Sequence, residues 1–201
     1  EEALSLAAKY LKKISDQYGG KSIAGFGSAK CSNEEAYLFQ KLIRQGFVSN
    51  NVDHCTRLCH ASSVFALMES LNSAAVTAPF TDALKSDCII VIGARPSENH
   101  PVASTYIKNA IKKGSKLILI DPRGQKQGLA KYAEHIIQFK SGQDLALLNA
   151  MIHTIIKEKL YDTNFVKNRT IGFDNLVEET KDFSPKNMDK ICGIKASVII
   201  D

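Results

Sequence analysis

The sequence has no CxxC pair, no apolar run long enough to cross a bilayer, no basic stripe and no internal repeat or low-complexity segment. Each absence excludes a class. The five cysteines, Cys31, Cys55, Cys59, Cys88 and Cys192, are odd in number and irregular in spacing. That argues against a disulfide framework and for a reducing compartment. Without CxxC, these residues form neither a zinc ribbon nor a complete iron–sulfur ligand set. No apolar run exceeds five residues, and those at 88–92 and 117–120 are strand-sized, whereas a spanning helix needs roughly 20 residues. The opening Glu1-Glu2-Ala3-Leu4 is acidic and helical, not a leader pattern, so a cytoplasmic location is expected. The net charge of +5 is scattered over short pairs such as Lys12-Lys13 and Lys112-Lys113. Such pairs suit solvated helix faces and make no nucleic-acid surface. A mild positive excess fits an anionic cofactor without selecting one.

What is present is an ordinary globular composition, 44% hydrophobic and 23% charged over 201 residues. That length holds one sizeable core or two small ones. Residues 3–18 predict an amphipathic helix with Leu4, Ala7, Ala8, Leu11 and Ile14 on one face, ended by Gly19-Gly20. A short strand is expected over 21–26. Ser32 or Asn33 then caps a helix that carries Leu38, Leu42 and Ile43 and stops near Gly46. A further helix is expected over 62–71. The continuous apolar runs 87–93 and 116–120 predict adjacent central strands covered on both faces. Between them, Pro101 opens a helix that Gly114 closes. A short helix over 124–132, a strand over 135–139 and a long helix over 143–160 follow. Shorter helices then turn at Gly172 and Pro185, and residues 193–201 open a last one. This alternation gives the fold class: α/β, a parallel sheet flanked by helices, Rossmann-like.

In such sheets ligands sit beyond the carboxyl ends of the strands. The first loop there runs from Gly93 to Pro101. Gly93 permits close backbone approach, Arg95 can fork onto a phosphate, and Glu98 and Asn99 can bond sugar hydroxyls or a base edge. The alternative is a polar surface loop with a helix start. In the second loop, Asp121-Pro122-Arg123, Asp121 can accept from ribose hydroxyls, and Arg123 can hold a phosphate or pair with Asp121. A third turn, 140–144, begins the long helix, where Gly142 and Asp144 can serve an anion or Asp144 can act as the cap, the default. A nicotinamide fingerprint is absent, because Gly25-Phe26-Gly27-Ser28-Ala29-Lys30 puts Lys30 at the third glycine position.

The most distinctive stretch is Asn51-Val52-Asp53-His54-Cys55-Thr56-Arg57-Leu58-Cys59-His60. A thiolate is a soft metal ligand, and the adjacent imidazole can exchange a proton near neutral pH. The plain alternative is a thiol that fills core space. Cys55, four residues before Cys59, would share its helix face and is expected only to pack.

This stretch resembles the active-site segment of molybdenum- and tungsten-dependent formate dehydrogenases, in which the position of Cys59 carries selenocysteine or cysteine, followed by histidine. The resemblance continues in order through Asn99-His100-Pro101, Asp121-Pro122-Arg123, the Gly-x-Asp-x-Ala-Leu-Leu-Asn-Ala of residues 142–150 and Leu160-Tyr161-Asp162. It implies that Cys59 ligates Mo or W and that His60 is the adjacent catalytic histidine. It further implies that Gly93, Arg95, Glu98, Asp121, Arg123, Gly142 and Asp144 serve one molybdopterin guanine dinucleotide of a bis-molybdopterin guanine dinucleotide centre. Arg95 and Glu98 depart from the Asn and Asp that some members have. The implied activity is oxidation of formate to CO2, with electrons passed to a 4Fe-4S cluster and on to electron-transfer subunits or a ferredoxin-like acceptor. Residues 1–201 are then one molybdopterin-binding α/β domain of a larger catalytic subunit. The iron–sulfur domain, the second cofactor domain, the C-terminal barrel and the formate-holding arginine lie outside it, so the piece is not expected to be catalytic alone. Two rivals are a nitrate reductase, which usually lacks the histidine after the cysteine, and a metal-free dinucleotide-fold binding module with Cys59 as a packed thiol.

Overall fold

The first helix forms where its periodicity predicts, as α1 (Glu2–Tyr18), with Glu2 at the favourable end of the dipole and Gly19 closing it at φ 80°. None of its residues is buried, and Leu4 and Ile14 of the apolar stripe are 75% and 40% exposed. The stripe marks the face that seeks cover without supplying the cover. The structure is a computed structural model that describes residues 1–126 and 128–201, and the chain forms two compact units, Glu1–Thr77 and Ala78–Asp201. Its strands make two parallel sheets, one in each unit, in place of a single sheet. No helix among the described residues is long and apolar enough to cross a membrane.

In the first unit the expected strand 21–26 is largely replaced by a 3₁₀ turn over Gly20–Ser22. Local bonds explain this: Ser22 Oγ donates to the Gly19 carbonyl at 2.7 Å and the Ile23 amide to Gly20 at 2.9 Å. The strand that remains is β1 (Gly25–Gly27). Helix α2 (Asn33–Lys41) is capped by Ser32 in a reciprocal box. The Glu35 amide donates to Ser32 Oγ, and the Ser32 amide donates to the Glu35 carboxylate at 2.7 Å. Helix α2 runs into a π turn over Leu42–Gly46 and lies directly on β1. A Cβ on Gly25 would stand 2.6 Å from Ile43 and 2.9 Å from Phe39, so only glycine permits this approach. Strand β2 (Val52–His54) pairs with β1 in parallel, bringing His54 opposite Gly27. Two helices complete the unit, the single turn α3 (Thr56–Cys59) and α4 (Ala61–Leu71).

The second unit is built on a three-stranded sheet. Strand β3 (Cys88–Ile92) leads through the short α5 (Pro96–Asn99) and α6 (Pro101–Lys112) to β4 (Lys116–Ile120). A 3₁₀ turn over Gly128–Tyr132 stands within the expected helix 124–132, of which residue 127 lies outside the described residues. Strand β5 (His135–Ile137) then adds beside β4, giving the parallel order β3-β4-β5. Helix α7 (Asp144–Lys157) ends earlier than expected, with Lys159 at φ 56° just beyond it. Helices α8 (Thr163–Arg169), α9 (Phe173–Thr180), α10 (Pro185–Cys192) and α11 (Ala196–Ile200) follow.

The pleat of β4 explains how this unit is held together. Alternate side chains point to opposite faces. Leu117 and Leu119 pack with Val91, Leu129 and the partly buried Ile107 and Ile111 of α6. Ile120 and the partly buried Ile118 pack with Ile137, Leu147, Ala150, Cys192 and Ile199 on the side of α7, α10 and α11. Strand β4 is therefore the central strand with cover on both faces. The same expectation fails for β3, which lies at the sheet edge with Ile90 51% and Ile92 39% exposed. Its partner face, Ile89 and Val91, is covered by α6, whereas the helices on the other side reach only β4 and β5. An apolar run states a demand for cover on two faces, and within this unit only one is met.

The contrast can be measured. Leu119→Ala should destabilise the second unit by about 2–5 kcal/mol, the usual cost of emptying a filled core site, and Ile90→Ala by under about 1 kcal/mol. Urea unfolding of the two variants checks this, and equal losses would show that the outer face of β3 is covered after all.

Candidate functional site

Both sheets send their chemistry-bearing loops out of the carboxyl ends of parallel strands. In the first unit β2 delivers His54 and then α3. The helix stops at His60, whose φ −132° and ψ 21° break it from α4. At this break Cys59 and His60 are both exposed, and neither side chain has a hydrogen-bond partner among the described residues. The packed-thiol alternative for Cys59 is thus not what the fold does. Cys55 departs from its expected packing role: it too is exposed, and its Sγ accepts the Ala29 amide at 3.0 Å. His54 Nδ1 accepts the Thr56 amide at 3.2 Å and lies 2.7 Å from Thr56 Oγ1, which leaves the proton of a neutral ring on Nε2.

In the second unit the first two loops converge. The Gly93 amide donates to the Ile120 carbonyl at 2.8 Å, so the ends of β3 and β4 stay in register as their loops leave. Gly93 has φ 62° and open space where a side chain would be. Arg95, Glu98, Arg123, Gly124, Gln125 and Lys126 line a cleft of about 300 Å³. Arg95 Nη2 reaches the Gly124 carbonyl at 3.4 Å and Nη1 stands 3.6 Å from Glu98, but Nε is buried without a partner among the described residues. Gln125 ties the loops by donating to the Ala94 carbonyl at 2.9 Å. Gln125 and Lys126 were not foreseen; the only signal for them was their position directly after Asp121-Pro122-Arg123.

Asp121 has a different place from the one expected. Its side chain is 1% exposed, it does not line the cleft, and its carboxylate is committed to Arg123. Oδ1 accepts the Arg123 amide at 2.8 Å and Nε at 3.0 Å, and Oδ2 accepts Nη2 at 2.7 Å. The Arg123 side-chain hydrogen bonds hold this carboxyl below the usual range against the opposing effect of burial. In the third turn Gly142 has φ 80°, but Asp144 does not cap α7. Gln143 occupies the cap position without a side-chain bond, and Asp144 lies exposed in the first turn. Neither Gly142 nor Asp144 lines the cleft. The structure thus gathers Arg95, Glu98 and Arg123, places Gly93 at their strand end, and keeps Asp121 as the anchor of Arg123.

The first unit thus carries an exposed Cys–His pair, and the second a cleft with Arg95, Arg123 and Lys126 in its lining. The sequence fits the family described as molybdopterin oxidoreductase over residues 1–200, and the chain belongs to that family. Within it, the chain is 40% identical over 200 residues to the F420-dependent formate dehydrogenase subunit alpha of Methanocaldococcus jannaschii, covering 100% of this chain and 29% of that protein. It is 37% identical to formate dehydrogenase H of Escherichia coli, covering 99% of this chain and 28% of that protein. Among solved structures, acetylene hydratase from Pelobacter acetylenicus superposes with a TM-score of 0.76 at 29% identity, over 99% of this chain and 26% of that one. The chain therefore spans under a third of the length of these relatives.

The Asp121–Arg123 pair carries a pH signature. Because the folded-state pKa lies below the ordinary 3.8, the pair's contribution is complete above that value and is lost as pH falls through the lowered one. Asp121→Asn should lower the stability of the second unit at neutral pH and flatten its fall below about pH 4. Thermal melts from pH 7 to pH 2 check this; parallel curves for the two proteins would contradict it.

Proposed function

We propose that this chain is the metal-ligand-bearing, molybdopterin-binding α/β part of a formate dehydrogenase catalytic subunit. The observation that carries the reading is the exposed Cys59–His60 pair at the break between α3 and α4. Its support comes from relatives named as formate dehydrogenases that match along the whole chain. The residues suit an anionic, dinucleotide-bearing cofactor. Arg95, Arg123 and Lys126 outnumber Glu98 in the cleft, and Arg95 Nε, buried without a partner among the described residues, calls for an acceptor. Among the described residues no three His, Cys, Asp or Glu side chains are grouped to hold a metal by themselves, so Cys59 would be a single protein donor to a metal carried by the cofactor.

When bound, a bis-molybdopterin guanine dinucleotide centre of molybdenum or tungsten supplies a metal that takes up two electrons. The chain's own residues have separate tasks. Cys59 would hold the metal through its thiolate, a soft ligand suited to it. His60 accepts the proton released as formate becomes CO2, or stabilises the charge that develops. Arg95 and Arg123 would hold phosphate oxygens, with Arg123 oriented by Asp121, and Glu98 would bond the sugar or base. Gly93 leaves room for the backbone to approach the ligand. Gly142 and Asp144 would meet the same cofactor from the start of α7. The whole subunit, read as cytoplasmic, would need a 4Fe-4S cluster, held by residues outside this chain, and electron-transfer subunits or a ferredoxin-like acceptor to carry the electrons away.

A second reading has its own observation. The fold is shared with a protein named as a hydratase, so the fold alone does not select formate, and a different substrate at the same cysteine is the alternative. Assay of the full-length subunit with formate separates the two. Cys59→Ala should abolish formate oxidation. His60→Ala should retain the metal and lower turnover about 10²–10⁴-fold, the usual loss for an acid–base group. Exposed Cys31→Ala should be unchanged. Full activity in Cys59→Ala, or no formate oxidation by the wild type with metal in place, overturns the reading.

A further inference from the structure

The carboxyl ends of β1 and β2 lie side by side, with Gly27 opposite His54. One strand runs on into Ser28 and Ala29, the other into Cys55 and α3. Between those two exits one hydrogen bond stands out, from the Ala29 amide to Cys55 Sγ at 3.0 Å. The carbonyl of the same residue accepts the Cys59 amide at 3.0 Å and the Leu58 amide at 3.2 Å. Cys55 thus touches the β1 loop with its side chain and the backbone of Cys59 with its main chain. The neighbouring His54 makes only a long contact with the sulfur, 4.0 Å from Nδ1 to Sγ, against 3.0 Å from the Ala29 amide. Its Nδ1 is engaged by the Thr56 amide and lies near the Thr56 hydroxyl.

We propose that Cys55 is a positioning residue, which ties Cys59 to the carboxyl end of β1 through its thiol sulfur and its carbonyl oxygen. Helix α3 is only four residues long, and no side-chain cap secures its start. A helix of one turn has little stability of its own, because nucleation is unfavourable and few bonds follow it. The placement of Cys59 therefore depends on what holds the first residue of that turn. Sulfur suits this task, since it is a large acceptor that reaches Ala29 while Cys55 itself stays on the surface, where a packing role is excluded. The tether stands on this geometry alone; its consequence for turnover rests on the assignment of Cys59 above.

The test has two arms. In the 201-residue chain, amide hydrogen exchange reads the tether directly. Cys55→Ala should speed exchange of the Ala29 amide about 3- to 10-fold, the equivalent of one net hydrogen bond. The Cys59 amide should also exchange faster as α3 frays. Cys55→Ser keeps an acceptor and should fall between the two, and Cys31→Ala should match the wild type. Unchanged Ala29 exchange in Cys55→Ala overturns the proposal. In the full-length subunit with its cofactor loaded, Cys55→Ala should keep full metal content and an unchanged KM for formate. Its kcat should fall about 3- to 10-fold, and the paramagnetic resonance signals of the metal should shift, with partial recovery in Cys55→Ser. An unshifted signal with unchanged kcat, or a loss of kcat that only follows lost metal, overturns the positioning role. Cys59→Ala distinguishes the two levels. If it still oxidises formate while Ala29 exchange rises in Cys55→Ala, the tether stands and the assignment of Cys59 falls.

Discussion

A carboxylate buried at the tip of a strand has to be paired, and in the second unit that requirement organises everything around it. Asp121 follows directly from Ile120, which is fully buried, so it cannot turn back to water without pulling β4 from its core. An unpaired charge there would be costly enough to neutralise or to unfold its surroundings. The chain meets the demand two residues later with the fork of Arg123. Closing that fork requires the tight turn through Gly124, at φ 68°, whose amide donates to the Asp121 carbonyl at 3.0 Å. The same turn presents the Gly124 carbonyl to Arg95 and sets Gln125 against Ala94. The basic cleft is thus a consequence of how one acid is satisfied.

The first unit solves a related problem with weaker means. Its two strands are three residues each, and its core is little more than Ile23 and Ile43 with the buried Ser49, whose hydroxyl donates to the Ile23 carbonyl at 2.9 Å. Glycine at position 25 lets α2 lie on the strand itself. What this frame delivers is the paired end of β1 and β2, and from it the single turn that carries Cys59. The thiol and the imidazole at this helix break are both exposed and have no side-chain hydrogen-bond partner among the described residues.

Much of this was legible in the residues. The strands at 88–92 and 116–120, the cap at Ser32, the closure at Gly114 and the helix from Pro101 follow from periodicity and turn chemistry, which act over a few neighbours. The resemblance carried by the Cys59–His60 stretch and by Asp121-Pro122-Arg123 led to the family that the whole chain matches. Less legible was anything that depends on a second segment arriving. The strand expected over 21–26 shortened because a local turn claimed its backbone. The outer face of β3 and the stripe of α1 remain exposed, although their patterns call for cover.

The sequence by itself determined the kinds of element, their order, and which side chains could do chemistry at all, because backbone propensity and side-chain type are properties of the chain. Only the tertiary structure decided the partners. It committed the Asp121 carboxylate to Arg123, left Arg95 Nε buried without an acceptor among the described residues, and made Cys55 a contact between two strand ends. These outcomes depend on which atoms meet across 26 to 31 positions of sequence, as Ala29 meets Cys55, Arg95 meets Gly124 and Gln125 meets Ala94. Such meetings are set by sheet register and burial, and no local pattern encodes them.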